Sequence, residues 1–455
     1  MSFYEENRQA IVSYFQQGSQ NPLPCTLGVE VEHFIVRKKD NSPVYYEYSR
    51  RQKDVQSTGK QDASCSLKDT EEAESKNNIS VACVLQFLSE FYPEKLYGLE
   101  GDLIGLASKE ATLTLEPAAQ LEISIAPFSS IEDIMDVYQA FRERIDPFLA
   151  EYECQLVTLG YHPSAKALDL PLIPKRRYEL MNEYFHALGT RGERMMRASA
   201  STQVSVDYAD EADAIRKMRL AQALAPILSC IADNVAVFEG RPATKRLERF
   251  AVWRDVDNDR CGSVPGLFED GYGFAQYAEW LLETSPIFVT RPPASDPEGA
   301  RLRPVGAMPA KEAYGDAPMT EADIEHLLSM FWPDVRLKKF VEIRPADSLE
   351  PDQVAGYVAL IKGIFYSEEA MQALEQALGV VQGQWPFTDK TANGTMDAIR
   401  KDGLQAKFAG LEVAKWVSLL FDQAKHHLNE ADQSHLEKLI GWFYSQERNN
   451  AGGRA

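Results

Sequence analysis

The stretch Leu27–Phe34, LGVEVEHF, alternates apolar and polar residues with a period of two. This period is typical of a β-strand, in which successive side chains point to opposite faces of the sheet. Glu30 and Glu32 therefore share one face, and the valines between them point to the other face, toward a core. His33 falls on the core side, where a hydrogen-bonded structural histidine is expected rather than a catalytic one.

Three more segments alternate in the same way and carry polar groups on one face. They are Leu115–Ser124, Thr202–Asp207 and Phe340–Arg344. Their polar positions are Glu116, Gln120, Glu122 and Ser124 in the first, Gln203, Ser205 and Asp207 in the second, and Glu342 and Arg344 in the third. Strands that bury one face and turn the other toward solvent or a cleft are typical of antiparallel sheets. Together with long helical blocks elsewhere, these segments predict an α+β fold.

Any one of these polar faces, taken alone, fits a strand face in contact with water. Taken together they carry Glu30, Glu32, Glu116, Glu122 and Glu342, with almost no lysine opposite them. Like charges on one sheet face destabilise the fold unless cations lie between them. Magnesium ions, which prefer carboxylate oxygens and bridge to phosphates, would supply that positive charge. On this interpretation, removal of one carboxylate, as in Glu342→Ala, stabilises the metal-free protein.

The overall charge excludes some classes of partner. The 455 residues include 68 Asp and Glu against 48 Lys and Arg, which leaves a net charge of −20. Such a chain is repelled by nucleic acid and by anionic membrane surfaces, so neither is an expected partner. No apolar run approaches the thickness of a bilayer, and the N-terminal stretch lacks the features of a secretion signal. The six cysteines are scattered without a C-x-x-C pair, as expected for free thiols in a reducing compartment. These features predict a soluble, cytoplasmic protein.

The chain is expected to form a single catalytic domain over residues 1–455, with a polar insertion at about 48–78. The insertion contains too few apolar residues to bury much surface. A second stretch, from Arg291 to Ala317, is rich in Pro, Gly and Ala and has the length of a loop that closes over a site.

The C-terminal part, at about 350–448, has mainly helical periodicity. Within it, Ser434-x-x-Glu437 resembles a capping box at a helix start. Residues 449–455 are small and polar and are expected to fray. No glycine-rich phosphate loop occurs in the sequence, so a bound nucleotide needs other contacts.

Six motifs occur in the same order as in a known family. They are LGVEVE at 27–32, LEP at 115–117 with Glu122, PKRRY at 174–178, MMR at 195–197 with Gln203-Val204, the stretch Trp253–Arg260, and VRLK at 335–338 with Glu342-Ile343-Arg344. In these motifs the chain resembles the plant-type glutamate–cysteine ligases, which bacteria also carry, from Leu27 to Asp347. The resemblance implies a fold similar to that of glutamine synthetase, in which a curved antiparallel sheet forms a funnel flanked by helices. The period-two strands fit that architecture independently.

The resemblance implies six ligands for two magnesium ions on the inner face of the funnel. The first ion would be bound by Glu32, Glu116 and Glu122. The second ion, which bridges the ATP phosphates, would be bound by Glu30, Gln203 and Glu342. Glu342 is at the same time a candidate catalytic residue.

The resemblance also implies a set of cationic residues for the substrates. Arg177 and Arg249 would bind the carboxylates of glutamate, a task suited to the planar guanidinium group. Trp253 would shape the same substrate pocket. Arg344 and Lys338 would contact ATP, and Arg344 would also act as a catalytic residue by steadying the phosphoryl group during its transfer.

The implied activity is ATP-dependent ligation of the γ-carboxylate of glutamate to the amine of cysteine, the first step of glutathione synthesis. ATP would phosphorylate the carboxylate, and the amine would attack the acyl phosphate while the site excludes water. Three alternatives stay open: a ligase of the same mechanism with a different amine or carboxylate, a phosphoryl transferase without ligation, and a silent metal- or nucleotide-binding module. The expected partners are glutamate, cysteine and ATP, and the expected state is a monomer or a homodimer.

Overall fold

The computed structural model describes residues 3–19, 25–47, 79–98, 101–291, 302–388 and 391–453. The polar insertion at about 48–78 lies outside these residues. So do residues 292–301 of the stretch Arg291–Ala317 that sequence predicts to be a loop. The described part of that stretch is not a plain loop, because it contains a short strand and a single helical turn.

A nine-stranded antiparallel sheet lies at the centre of the described structure. Its strands are β1 (Leu27–Arg37), β2 (Glu94–Tyr97), β3 (Leu103–Ala107), β4 (Ala111–Leu115), β5 (Leu121–Phe128), β6 (Cys154–Val157), β7 (Thr202–Val206), β14 (Val335–Leu337) and β15 (Val341–Ile343). Their spatial order is β14-β15-β7-β1-β5-β4-β3-β2, and β6 pairs with the second half of β1. The predicted α+β class with an antiparallel sheet is confirmed.

Four small two-stranded sheets accompany the central sheet within the described ranges. They pair β8 (Val237–Phe238) with β9 (Arg241–Pro242), β10 (Cys261–Gly262) with β13 (Trp332–Pro333), β11 (Phe288–Val289) with β12 (Arg303–Pro304), and β16 (Lys407–Phe408) with β17 (Leu411–Glu412). The pairing of β10 with β13 is parallel.

Fifteen α-helices occur in the described ranges. They are α1 (Tyr4–Gly18), α2 (Val81–Leu88), α3 (Ile131–Glu151), α4 (Arg176–Leu188), α5 (Gly192–Ala198), α6 (Glu211–Ile231), α7 (Glu248–Trp253), α8 (Phe274–Glu283), α9 (Ala310–Ala313), α10 (Glu321–Leu328), α11 (Pro351–Phe365), α12 (Glu368–Ala377), α13 (Thr391–Asp402), α14 (Val413–His426) and α15 (Glu430–Gly453). No helix of the described ranges combines the length and the apolar character that crossing a bilayer requires.

The apolar face of the sheet is set by the register of its strands. Val29 lies opposite Ile125 of β5 and Val204 of β7, and Val204 lies opposite Ile343 of β15. All four side chains are buried. Helix α3 packs on β5, and α11 packs on β1 and β7. The residues that alternate with these apolar positions, which include the predicted site residues Glu30, Gln203 and Glu342, therefore lie on the opposite face.

Three predictions about where strands and helices begin or end are wrong. The segment Leu115–Ser124 is not one strand, since it contains the end of β4, a turn and the start of β5. The predicted capping box at Ser434 lies inside α15. That helix begins at Glu430, where the Asn429 side chain accepts a hydrogen bond from the Asp432 N–H at 2.9 Å. The same helix continues to Gly453, so the fraying predicted for residues 449–455 is wrong up to residue 453, and the last two residues lie outside the described part of the chain.

His33 has the structural role predicted from its position on the core face. Its Nδ1 lies 2.9 Å from the carbonyl oxygen of Leu121, and its Nε2 lies 2.7 Å from the hydroxyl of Tyr138. Burial lowers the pKa of His33 to about 3, so the ring is neutral at physiological pH.

Candidate active site

The polar face of the central strands carries carboxylates in direct register. Glu32 of β1 lies opposite Glu122 of β5. Glu30 lies between Ser124 of β5 and Gln203 of β7. Like charges that face each other across a strand pair destabilise a sheet. The chain therefore holds Glu32 and Glu122 together at a cost in stability, which favours a functional role for the pair.

Hydrogen bonds fix the orientation of these two carboxylates. Glu122 Oε1 accepts from the Thr114 hydroxyl at 2.9 Å and from the Ser124 hydroxyl at 3.1 Å. Glu32 accepts from the N–H of Ser201 at 2.8 Å and from its hydroxyl at 3.0 Å. Because all these donors are neutral, they orient the carboxylates without cancelling their charge.

Burial and mutual repulsion shift the titration of these carboxyl groups. Burial, followed by the charges of Glu116 and Glu122, raises the pKa of Glu32 to about 8. Burial, followed by Glu122 and Glu342, raises the pKa of Glu30 to about 7. Burial and the charge of Glu116 raise the pKa of Glu122 to about 7. A cation bound among them would reverse these shifts.

Glu116 lies in the turn between β4 and β5, which corrects its predicted strand position. The Gln120 side chain holds this turn against α5. Its Oε1 accepts from the N–H of Ala118 at 2.9 Å, and its Nε2 donates to the carbonyl oxygens of Met196 and Ser199, both at 3.1 Å. The turn still brings Glu116 to the wall of the cavity that contains Glu32 and Glu122.

Glu342 is fully buried and is surrounded by three cations. Its Oε2 accepts from Arg336 Nε at 2.6 Å and from Arg344 Nη1 at 2.9 Å. Its Oε1 accepts from Arg336 Nη2 at 3.0 Å and from Lys338 Nζ at 2.9 Å. Burial alone would raise the pKa of Glu342, but these three charges hold it well below its usual range. The sequence-based expectation of a repelled carboxylate is therefore reversed at this position.

Arg344 connects Glu342, through Gln203, to the carboxylate of Glu32. Its Nη1 also donates to Gln203 Oε1. Gln203 Nε2 in turn lies 3.4 Å from Glu32 Oε1. The Arg344 guanidinium carbon lies 5.9 Å from the centre of the Trp253 ring. The structure thus brings the predicted phosphate-binding arginine into contact with two predicted metal ligands.

Arg249 and Trp253 lie one turn apart on the short helix α7. Arg249 Nη1 is 3.8 Å from Asp347 Oδ1 and 3.4 Å from the carbonyl oxygen of Pro345. Arg249 Nε and Trp253 Nε1 are buried and have no hydrogen-bond partner within the described part of the chain. Because buried donors without partners are costly, a ligand that accepts from these two groups would be stabilised.

Arg177, the other predicted glutamate-binding arginine, contacts the protein in this structure. Its Nη1 donates to the hydroxyl of Ser329 at 2.9 Å, and its Nη2 donates to the carbonyl oxygen of the same residue at 2.7 Å. The guanidinium carbon lies 5.5 Å from the centre of the Phe288 ring. A substrate carboxylate bound by this group would replace the contacts with Ser329.

One cavity of about 700 Å³ joins these groups. Ten of the eleven residues predicted from sequence line it, and only Glu342 lies behind its wall. The wall also contains residues to which the sequence analysis gives no role. They include the cations Lys175 and Arg336 and the apolar residues Met181, Met195, Met196 and Leu328.

The alternation of apolar and polar residues could have identified one of these two cations from the sequence. Arg336 alternates with Val335 and Leu337, so it shares a face with the predicted ATP contact Lys338. Lys175 lies in the loop before α4, where no periodicity assigns a direction. Its position next to the carboxylates is visible only in the fold: burial lowers its pKa, and the charge of Glu116 opposes that shift.

The carboxylates fit a hard divalent cation by their chemistry. Over the described ranges, no three Asp, Glu, His or Cys side chains already stand close enough to bind one metal ion. Their oxygens are nevertheless the donors that magnesium prefers, and their mutual repulsion is the kind that a bound cation relieves. The residues that would hold it are Glu30, Glu32, Glu116 and Glu122. The oxygens of Glu342 already accept from three cationic side chains.

A second cavity, of about 790 Å³, lies between α6, α8 and α12 and contains none of the predicted site residues. Its charged groups are already paired within the protein. Arg216 binds Glu375 at 2.6 and 2.9 Å and Glu368 at 2.6 Å, and Glu211 accepts from the N–H of Phe274 at 2.6 Å. The cavity on the sheet face is therefore the candidate active site.

Known proteins are similar to this chain in sequence and in fold. Residues 26–385 match the glutamate-cysteine ligase family 2 (GCS2). The chain is 32% identical over 362 residues to the chloroplastic glutamate–cysteine ligase of Arabidopsis thaliana, a match that covers 76% of this chain and 68% of the relative. It is 33% identical over 278 residues to the chloroplastic glutamate–cysteine ligase B of Oryza sativa subsp. japonica, which covers 60% of this chain. The match spans only 55% of the length of that rice protein.

The fold is similar to that of a solved enzyme structure. The 2.0 Å crystal structure of glutamate–cysteine ligase from Francisella tularensis in complex with AMP superposes with a TM-score of 0.51. The match covers 92% of this chain and 82% of the other, at 11% sequence identity, and at this identity it concerns the fold alone. The family match over most of the chain and the 32% identity to the Arabidopsis protein carry the assignment. The chain belongs to the glutamate–cysteine ligase family 2.

Proposed function

We propose that the chain is an ATP-dependent glutamate–cysteine ligase, which joins the γ-carboxylate of glutamate to the amine of cysteine. One observation carries the proposal: a row of carboxylates and a set of cations line the same cavity, within the residues that match the family. The carboxylates are Glu30, Glu32, Glu116 and Glu122, and the cations are Lys175, Arg177, Arg249, Arg336, Lys338 and Arg344. Such a cavity suits anionic substrates that arrive together with divalent cations.

The cationic wall binds and orients the two substrates. Arg249 and Arg177 would hold the carboxylates of glutamate, and the unpartnered donors Arg249 Nε and Trp253 Nε1 support this role. Arg344 and Lys338 would face the phosphates of ATP. Because Glu342 fixes both of these cations, they would be preorganised for charge that develops during phosphoryl transfer.

The proposed reaction has two steps. A γ-carboxylate oxygen of glutamate attacks the terminal phosphorus of ATP, and ADP leaves. The amine of cysteine then attacks the acyl carbon, phosphate leaves, and the amine loses a proton as the amide forms. Magnesium, bound by the carboxylate row, would neutralise the phosphate charge. The residues of the cavity would exclude water, which would otherwise hydrolyse the acyl phosphate.

We also propose that the protein acts as a single catalytic domain in the cytoplasm. The five cysteines within the described ranges are all free thiols: Cys25, Cys83, Cys154, Cys230 and Cys261. Free thiols suit a reducing compartment.

Changing Arg249 to Lys should raise the KM for glutamate by about tenfold or more while the KM for ATP changes less than about twofold. Lysine keeps the charge but loses the planar fork that binds a carboxylate with two parallel hydrogen bonds. Initial-rate kinetics at varied glutamate and varied ATP measure both constants. Arg176→Lys is the matched control, because Arg176 is half exposed and, among the described residues, its ion pairs are with Glu179 and Glu183 on its own helix. Equal effects on both substrates would assign Arg249 a structural role.

The identity of the amine is tested with a panel of acceptors. The apolar residues Met181, Met195, Met196 and Leu328 in the cavity wall suit a small apolar side chain. A thiol is nearly isosteric with a methyl group, so 2-aminobutyrate should react with a kcat/KM within roughly 10–200-fold of that for cysteine. Phosphate release is measured with cysteine, 2-aminobutyrate, alanine, glycine and larger amines at saturating ATP and glutamate. A non-thiol amine that clearly exceeds cysteine would leave the ligase chemistry intact and change the product. Phosphate release that needs no amine would contradict ligation.

A further inference from the structure

The C-terminal helices reach back to the proposed active site. The family match ends at residue 385, so α13 and α15 lie beyond it. Both helices nevertheless contact the segment that leads into α7, the helix that carries Arg249 and Trp253. A part of the chain outside the family match therefore contacts the backbone just before the helix that is proposed to bind glutamate.

Arg400 of α13 makes three contacts with this segment. Its Nη1 donates to the carbonyl oxygen of Arg246 at 2.6 Å and to that of Leu247 at 2.9 Å. Its Nη2 donates to Glu248 Oε2 at 3.1 Å. Only 14% of the Arg400 side chain and 9% of the Glu248 side chain are exposed, so water screens this pair weakly. The planar guanidinium group thus binds three consecutive residues, Arg246 and Leu247 through their carbonyl oxygens and Glu248 through its side chain.

The backbone at this point needs external support. Leu247 has φ 55° and ψ 38°, the left-handed conformation that a side chain with a Cβ atom disfavours. The helix that follows has six residues and no side-chain cap at its N-terminus. Such a conformation persists only where the surrounding structure holds it. One such contact is the hydrogen bond from Arg400 to the carbonyl oxygen of Leu247. Another is the hydrogen bond that the Leu247 N–H donates to Asp233 Oδ1 at 3.2 Å.

A second ion pair joins the same segment to the last helix. Arg246 Nη2 donates to Glu447 Oε2 of α15 at 2.6 Å. The side chains of Arg246 and Glu447 are mostly buried, with 11% and 17% exposed. The segment that leads into α7 is therefore bound to α13 through Arg400 and to α15 through Glu447.

We propose that Arg400 is a positioning residue for glutamate binding, which holds the entry to α7 and so sets the position of Arg249 in the cavity. This inference rests on the proposed function, because it takes Arg249 as a glutamate ligand. It assigns the C-terminal helices a role in substrate affinity rather than in stability alone. A lysine at position 400 keeps the charge but cannot contact two carbonyl oxygens and a carboxylate in one fixed plane.

The test compares Arg400→Lys with the wild type and with Arg448→Lys, a control at an exposed arginine of α15. We expect Arg400→Lys to raise the KM for glutamate about five- to tenfold, with kcat and the KM for ATP within about twofold of wild type. We also expect faster amide hydrogen exchange in residues 246–254 of this variant alone, measured at peptide level in the full-length protein. Arg448→Lys should match the wild type in both measurements.

The outcomes separate the inference from the proposed function. A wild-type KM for glutamate together with wild-type exchange at 246–254 would overturn the inference. An equal loss for glutamate and ATP, with a lower Tm, would assign Arg400 a structural role and overturn it as well. If the wild type forms no amide with any amine, the proposed function fails, and the exchange measurement still decides whether Arg400 holds α7.

A second variant, Glu248→Gln, serves if Arg400→Lys does not fold. It removes the ion pair alone and should raise the KM for glutamate about twofold. An unchanged KM for glutamate in this variant would contradict the inference.

Discussion

Glu342→Gln should lower kcat/KM by at least about 10³-fold and the free energy of unfolding by about 3–5 kcal/mol. The carboxylate is fully buried and accepts from Arg336, Lys338 and Arg344 at 2.6–3.0 Å. A neutral amide cannot balance these charges, and its NH₂ group turns a donor toward other donors. Arg344 and Lys338 also lose the partner that fixes them toward the cavity. Folding and catalysis should therefore be damaged together.

Urea unfolding and initial-rate kinetics measure the two effects of Glu342→Gln. Glu437→Gln is the control, because Glu437 pairs with Lys425 on the surface at 2.8 Å with 60% of its side chain exposed. An exposed pair of this kind contributes less than about 1 kcal/mol, so the control should keep both stability and rate. A Glu342→Gln protein as stable as the wild type would show that the three cations find other partners.

The sequence predicts the face on which Glu342 lies but not its neighbours across the sheet. A period of two assigns each side chain to a face, and the positions Glu30, Glu32, Glu122 and Glu342 followed from it directly. The cross-strand partner depends on strand order and register, which the period does not contain. Arg336 lies opposite Glu342 because β14 pairs with β15 in one register. The three cations around Glu342 were therefore not predictable from the sequence. The sequence predicted wrongly that this carboxylate is repelled by its neighbours.

Contacts between distant segments set the rest of the site. Arg177 binds Ser329, which lies 152 residues later, at the end of α10. Glu116 follows a strand end, and its turn depends on the bonds of Gln120 to α5. No local pattern in the sequence specifies either contact. The family resemblance named ten of the residues that line the cavity, but only the fold shows which of them are already paired.

The carboxylate row should respond to mutation in the opposite way from Glu342. Burial and the charges of Glu122 and Glu342 raise the pKa of Glu30 to about 7. A carboxyl group whose pKa is raised on folding destabilises the protein as the pH rises through that value. Glu30→Gln should therefore stabilise the metal-free protein by at least about 1 kcal/mol at pH 8 and by less at pH 5, since one unit of pKa shift is worth about 1.4 kcal/mol. We therefore expect at Glu30 the gain in stability that the sequence suggested for Glu342.

Glu30→Gln should also remove magnesium binding and turnover. A cation that binds only the folded state stabilises it, by about 2.7 kcal/mol at one hundred times its Kd. The wild type should therefore melt at a higher temperature in Mg²⁺ than in a chelator at equal ionic strength. In Glu30→Gln most of this difference in melting temperature should disappear. The kcat of this variant should fall by at least about 10³-fold. Glu94→Gln is the control, because Glu94 is an exposed glutamate of the edge strand β2. A Glu30→Gln protein that keeps the full magnesium effect would remove Glu30 from the metal site, and full turnover of the wild type after exhaustive chelation would remove the metal from the reaction.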